Sequence, residues 1–129
     1  MNAVSNLIQH ADCYRGPVKA ELVYVNPPLP YAGRAGAVIG KKLIARYYRK
    51  EGEAALSRAR RMLDVAGIDY TARILVGSVA ESIVQQANAL KCDFIFIGTH
   101  GRTATGTMLL GSVANKVIHI AEMPVLLVQ

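Results

Sequence analysis

A glycine-rich segment that could bind an anion lies between residues 98 and 112. It reads GTHGRTATGTMLLGS, follows the apolar run Phe94–Ile97 and precedes a helical pattern that begins near Ser112. A strand followed by a glycine-rich loop and a helix start presents several backbone N–H groups to a bound anion. The segment therefore predicts a phosphate-binding site at the end of an apolar strand.

The glycines and the serine of this segment each have a physical role in such a site. Gly98 and Gly101 carry no Cβ, so the backbone can approach a ribose or a phosphate closely. Gly111 and the N–H groups of Ser112 and Val113 fall at a predicted helix N-terminus, where partial positive charge favours phosphate. The Ser112 hydroxyl can bind a phosphate or cap its own helix, and the sequence is equally compatible with both roles.

Two loop side chains add charge and hydrogen-bonding capacity to this segment. His100 lies there, and Arg102 can pair with a phosphate or be solvated as an ordinary loop arginine. The sequence has no Ser-His-Asp order, no G-x-S-x-G or HExxH motif, and no pair of carboxylates near the loop. We therefore expect binding without efficient turnover, with no catalytic residue and no metal ligand.

The elements that would position the loop alternate along the chain. Apolar residues spaced near 3.6 indicate helices, and short apolar or alternating runs indicate strands. These patterns predict helices at 2–13, 41–66, 79–90 and 112–121, and strands at 18–26, 70–76, 94–97 and 125–128. The order predicts an α/β fold with a mostly parallel, doubly wound sheet of four strands and helices on both faces.

Three local features refine this prediction. Gly52 interrupts the long helical pattern and is expected to bend or break it. Gly67 is expected to end that helix, because glycine adopts positive φ without strain. Ser78 and Glu81 have the spacing of a capping box at the next helix start.

The positive charge of the chain is concentrated in one region. The net charge is +6, and nine of the 15 basic residues lie between Arg34 and Arg61, against the two acids Glu51 and Glu53. Such a cluster can be a nucleic-acid footprint or the solvated face of a helix. We favour the solvated face, because no nucleic-acid-binding motif accompanies the charge.

Cysteine usage and hydropathy indicate the compartment. Cys13 and Cys92 are far apart and form no CxxC, which argues against a disulfide framework or a metal site. No basic, apolar leader is visible at the N-terminus, and no run approaches the ~20 apolar residues that a membrane span needs. We expect a cytoplasmic protein that is not inserted in a membrane.

The glycine spacing resembles the universal stress protein family. Gly98, Gly101, Gly111 and Ser112 match the signature G-x2-G-x9-G-[ST] of its nucleotide-binding subgroup. The segments CDFIFIGTHGR, LLGSVANKVIHIAEMPVLLV and VGSVAESIVQQA are also similar to family segments. The resemblance covers essentially the whole chain, so residues 1–129 are expected to form a single domain.

The resemblance implies a fold and a ligand. The fold would be a three-layer, Rossmann-like sandwich of the adenine nucleotide alpha hydrolase type, and the ligand would be ATP, with or without Mg²⁺. By the resemblance, Val25 would flank the adenine through its backbone. The resemblance also implies a stress-response role rather than a metabolic activity, and a homodimer through the terminal strand Pro124–Gln129.

The sequence departs from the family pattern at its beginning. The family fold starts with a strand that ends in an adenine-binding Asp and lies at the centre of five strands, whereas this sequence opens in what resembles the first helix. Either the sequence starts downstream of that strand, or the strands at 18–26 and 93–98 pair directly, or a partner supplies the strand. We expect nucleotide affinity to be weakened or lost in this chain. The alternative functions are a basic interaction module for protein or nucleic acid and a slow ATPase.

Overall fold

The computed structural model describes residues 2–29, 40–99 and 110–128. Within them helices and strands alternate as the sequence predicts. The elements are α1 (Asn2–Gln9), β1 (Lys19–Asn26), α2 (Lys41–Ala66), β2 (Asp69–Val76), α3 (Val79–Ala89), β3 (Ile95–Gly98), α4 (Ser112–Ile120) and β4 (Val125–Val128). The predicted first helix is shorter than expected, because after α1 the chain tightens into a 3₁₀ turn, Ala11–Cys13.

The four strands form two separate parallel pairs. β1 pairs with β2 from Lys19 opposite Asp69 to Asn26 opposite Val76, and β3 pairs with β4. No ladder joins β1 to β3 among the described strands. The predicted α/β architecture with four parallel strands is confirmed, but direct pairing of β1 with β3, one of the alternatives left open above, does not occur.

The helices form two layers around these strands. α1 packs against α2 on one side, and α3 packs against α4 on the other. The core between α3, α4 and β3 is built from small and branched apolar residues, namely Ala80, Val84, Ala87, Ile95 and Val117. This arrangement corresponds to the three-layer sandwich that the sequence predicts.

Helix α2 lies close to β2 because of a glycine. A Cβ placed on the buried Gly52 would lie 2.5 Å from Ile74 Cγ2, closer than real carbon atoms approach. The helix is continuous from Lys41 to Ala66, so the predicted break at Gly52 is wrong. The missing side chain instead lets the helix backbone approach the strand.

Helix α2 ends as the sequence predicts. Gly67 has φ 68° and ψ 24°, the left-handed conformation that glycine adopts without steric cost. Its N–H donates to Asp64 O at 3.2 Å, and the N–H of Ile68 donates to Leu63 O at 3.1 Å. These bonds satisfy carbonyl groups of the last turn, and the chain then enters β2.

The start of α3 differs from the prediction. Ser78 occupies the N-cap position, but its side chain makes no capping hydrogen bond. Glu81 forms an ion pair with Lys116 of α4, and hydrogen bonding by that ammonium lowers the pKa of Glu81. The predicted capping box is therefore wrong, because its acidic member bonds to the neighbouring helix.

Two properties bear on the predicted compartment. Both cysteines are free thiols; Cys13 is exposed, whereas burial raises the pKa of the Cys92 thiol. Among the helices in the described part of the chain, none has the length and apolar character needed to cross a bilayer.

Candidate functional site

The end of β3 and the start of α4 meet at one place, here called the β3–α4 joint (Gly98, Thr99 and Gly111–Val113). The N–H of Thr99 donates to Val128 O at 2.9 Å and extends the β3–β4 ladder by one residue. The N–H of Gly111 donates to Thr99 O at 2.7 Å. The start of α4 is thus bonded directly to the carboxyl end of β3.

The first turn of α4 presents backbone donors at this joint. Gly111 is the N-cap, with φ −58° and ψ 151°, and its carbonyl accepts the first helical bond from Asn115 N–H at 2.9 Å. The N–H groups of Ser112, Val113 and Ala114 have no acceptor within the helix, as in every helix start. Together with the positive end of the helix dipole, they form an arrangement that attracts an anion.

The structure separates the two roles that the sequence leaves open for Ser112. The N-cap position belongs to Gly111, so Ser112 is the first helical residue and does not cap the helix in the usual position. Its side chain is exposed. The capping interpretation is therefore wrong, and contact between the hydroxyl and a ligand stays a prediction.

The end of β1 is fixed by a buried asparagine next to Val25. Asn26 is 4% exposed, and its side-chain amide donates to Tyr48 O of α2 at 3.1 Å. Its carbonyl accepts the N–H of Gly77 at 2.9 Å. Val25, opposite Leu75 in the ladder, is buried at 7% exposure, so pairing with β2 and burial of the side chain fix its backbone position.

The predicted site residues fall into three groups. The joint contains Gly98, Gly111, Ser112 and Val113. Val25 lies in the other pair of strands. His100, Gly101 and Arg102 lie outside the described residues.

Sequence reasoning missed two residues that position the site. Thr99 links β4 to α4 through its backbone, and Asn26 links β1 to α2 through its side chain. The sequence features that could have indicated them were weak. Thr99 directly follows the glycine that ends an apolar strand, and Asn26 is a polar residue at the end of another. Both interactions are long-range, so local patterns do not reveal them.

The joint offers hydrogen-bond donors more than reactive groups. Its backbone N–H groups and the Ser112 hydroxyl can hold an anion in a fixed place. In residues 2–29, 40–99 and 110–128, no three His, Cys, Asp or Glu side chains are grouped so that they could hold a metal ion. The chemistry that the joint supports most directly is phosphate binding.

These features define an α/β protein with a candidate anion site at a strand–helix joint. The chain belongs to the universal stress protein family, whose family model matches residues 11–129. Universal stress protein MJ0531 of Methanocaldococcus jannaschii is 36% identical over 107 residues, which cover 83% of this chain and 62% of that protein. The chain spans about half the length of the first curated relatives it matches.

Solved structures share the fold over nearly the whole chain. Protein MJ0577 of Methanocaldococcus jannaschii superimposes with a TM-score of 0.79 at 25% identity, covering 98% of this chain and 84% of that one. A universal stress protein from Archaeoglobus fulgidus in complex with dAMP gives 0.66 at 22% identity, over 99% and 86%. A universal stress protein in complex with cAMP gives 0.58 at 23% identity, over 99% and 84%.

Proposed function

We propose that the protein binds adenine nucleotides, ATP among them, at the β3–α4 joint, and that it acts in a stress response by binding rather than by efficient catalysis. One observation carries the proposal: the bond from Gly111 N–H to Thr99 O fixes the donor-rich start of α4 at the end of β3. The phosphates would lie against Gly111, Ser112 and Val113.

Further residues complete the proposed site. His100, Gly101 and Arg102, which precede Gly111 in the sequence, would contact the phosphates, with or without Mg²⁺. The backbone beside Val25 would contact the base. Two proteins of the same fold are described in complex with dAMP and cAMP, and this supports an adenine nucleotide as the ligand class.

Calorimetry tests the proposal on the chain as it stands. Titration with ATP, with and without Mg²⁺, is expected to give saturable heat with a Kd below about 1 mM, equivalent to roughly −4 kcal/mol. GTP is the comparison ligand, because it carries the same phosphates on a different base. Absence of saturable heat with ATP at millimolar concentration contradicts nucleotide binding, and equal affinity for GTP contradicts the adenine preference.

We also propose a homodimer through β4. β4 pairs only with β3 among the described strands, and its Leu126 and Leu127 are 40% and 41% exposed. An edge strand with exposed leucines suits pairing with a second copy. Sedimentation velocity at micromolar concentration is expected to show a dimer, and Leu126→Lys is expected to convert it to a monomer. The surface control Val65→Lys on α2 should leave the dimer intact. A monomeric parent chain would contradict this pairing.

A further inference from the structure

The first two turns of α2 extend beyond the strands that the helix covers. Tyr48 of α2 is level with the end of β1, because its carbonyl accepts the hydrogen bond from Asn26, the last residue of that strand. Residues 41–47 precede this contact and, at 1.5 Å per residue, extend about 10 Å farther. All of them except Ile44 are exposed, so this part of the helix projects past the carboxyl end of β1.

The projecting end of α2 carries a dense positive charge. Five of the ten residues from 41 to 50 are basic, none is acidic, and all five cations are exposed: Lys41, Lys42, Arg46, Arg49 and Lys50. We call this segment the basic end of α2. None of the five forms an ion pair within residues 2–29, 40–99 and 110–128, whereas Arg60 farther along α2 pairs with Glu53 at 2.8 Å.

These charges do not serve the stability of the helix. Lys41 and Lys42 lie in the first turn and face the positive end of the helix dipole. Farther along, Arg46 is three or four residues from other cations of the same flank, and like charges at this spacing repel one another. The first turn of α2 contains no acidic residue, and its N-cap, Gly40, makes no side-chain capping bond. A bound polyanion would offset the repulsion among these cations and their repulsion from the helix dipole.

The spacing of the cations matches the phosphates of a nucleic acid. Lys42, Arg46, Arg49 and Lys50 follow at i, i+4, i+7 and i+8 on one flank, so four charges span about 12 Å of helix axis. A strand of double-helical nucleic acid carries one phosphate per about 3.4 Å of its axis, or roughly four over the same length. We propose that the basic end of α2 binds the phosphate backbone of double-helical nucleic acid without reading its sequence.

Two other polyanions fit the basic end less well. Leu43 and Tyr47 are exposed there, but the next large exposed apolar side chain on α2 is Val65, about 27 Å farther along the axis. The helix therefore lacks a continuous apolar stripe that could enter a bilayer surface. An acidic protein would need carboxylates at the density of a phosphate backbone, and the competition experiment below distinguishes it.

Fluorescence anisotropy with a labelled duplex DNA of about 20 base pairs tests the proposal on the whole chain. For four to five phosphate contacts the plot of log K against log salt has a slope of about −4, so affinity falls about 250-fold between about 50 and 200 mM salt. The double variant Arg46→Gln/Lys50→Gln is expected to reduce the slope by about 2. Both positions are exposed and glutamine is a good helix former, so the fold is retained.

The matched control is Arg15→Gln/Lys19→Gln. It removes the same charge from exposed positions at the opposite, amino end of β1, and it is expected to leave the slope almost unchanged. Absence of saturable DNA binding at about 50 mM salt overturns the proposal. It is also overturned if both double variants change the slope equally, or if polyglutamate or anionic vesicles compete as well as duplex DNA per unit charge.

Discussion

Replacing Ser112 by aspartate is expected to abolish nucleotide binding while the fold remains intact. Ser112 is exposed at the first helical position of α4, where the phosphates are proposed to lie. Two unit charges 4 Å apart repel by about 4 kcal/mol at an effective dielectric constant of about 20, so affinity should fall by more than about 100-fold. The same carboxylate stabilises a helix start by about 0.3–1 kcal/mol, so the variant should fold.

Calorimetry and thermal unfolding of three variants distinguish an electrostatic effect on ATP binding from a loss of folding stability. Ser112→Asp should lose ATP binding and keep the parent Tm or exceed it. Ser112→Ala removes one hydroxyl and should weaken binding by about tenfold or less. Ser78→Asp makes the same substitution at the start of α3 and should leave ATP binding unchanged. Wild-type affinity in Ser112→Asp would show that the phosphates lie elsewhere.

Gly52→Ala is expected to destabilise the protein even though alanine is the better helix former. The exchange gains about 0.8–1 kcal/mol of helix propensity. The new Cβ would, however, lie 2.5–2.7 Å from three side-chain carbons of Ile74, two of which are attached to its branched Cβ and cannot rotate away together. Overpacking of this kind costs about 1–3 kcal/mol, so we expect a net loss of up to about 2 kcal/mol.

A double-mutant cycle with Ile74→Ala identifies the contact responsible. Shortening Ile74 removes the carbons that the new Cβ would meet, so Gly52→Ala should cost much less free energy of unfolding in that background. Ala45→Gly, at an exposed position of the same helix, measures the propensity effect alone. Urea denaturation gives the free energy of unfolding of the parent, the two single variants and the double variant. If Gly52→Ala alone were more stable than the parent, a close approach of α2 to β2 would be contradicted.

The sequence predicts the elements better than their arrangement. In the described part of the chain, apolar spacing locates each helix and strand within a few residues, and Gly67 ends α2 as expected. The pairing of strands into two sheets depends on contacts between distant segments, which local periodicity does not contain. Gly52 shows the same limit, because a glycine that ends a helix and a glycine that admits a neighbouring side chain look alike in a sequence.

For the candidate site, too, the sequence predicts where the residues lie along the chain better than their geometry. The glycine spacing predicts a strand–loop–helix arrangement, and Gly98, Gly111, Ser112 and Val113 do lie where β3 meets α4. The position of the N-cap, which excludes the usual capping role for Ser112, depends on backbone dihedral angles that the sequence leaves open. The projection of the basic end of α2 past β1 cannot be predicted from the sequence either. It follows from the position along α2 at which the helix contacts the end of the strand.

The division of the strands into two hydrogen-bonded units affects how a ligand would bind. No backbone ladder fixes the distance between these units among the described strands, so side-chain packing of the helices sets it. A nucleotide with its base beside Val25 and its phosphates at Ser112 would touch both units. Its affinity would then depend on preorganisation: the better the helices already hold the two units at the bound distance, the less binding free energy is lost in fixing them.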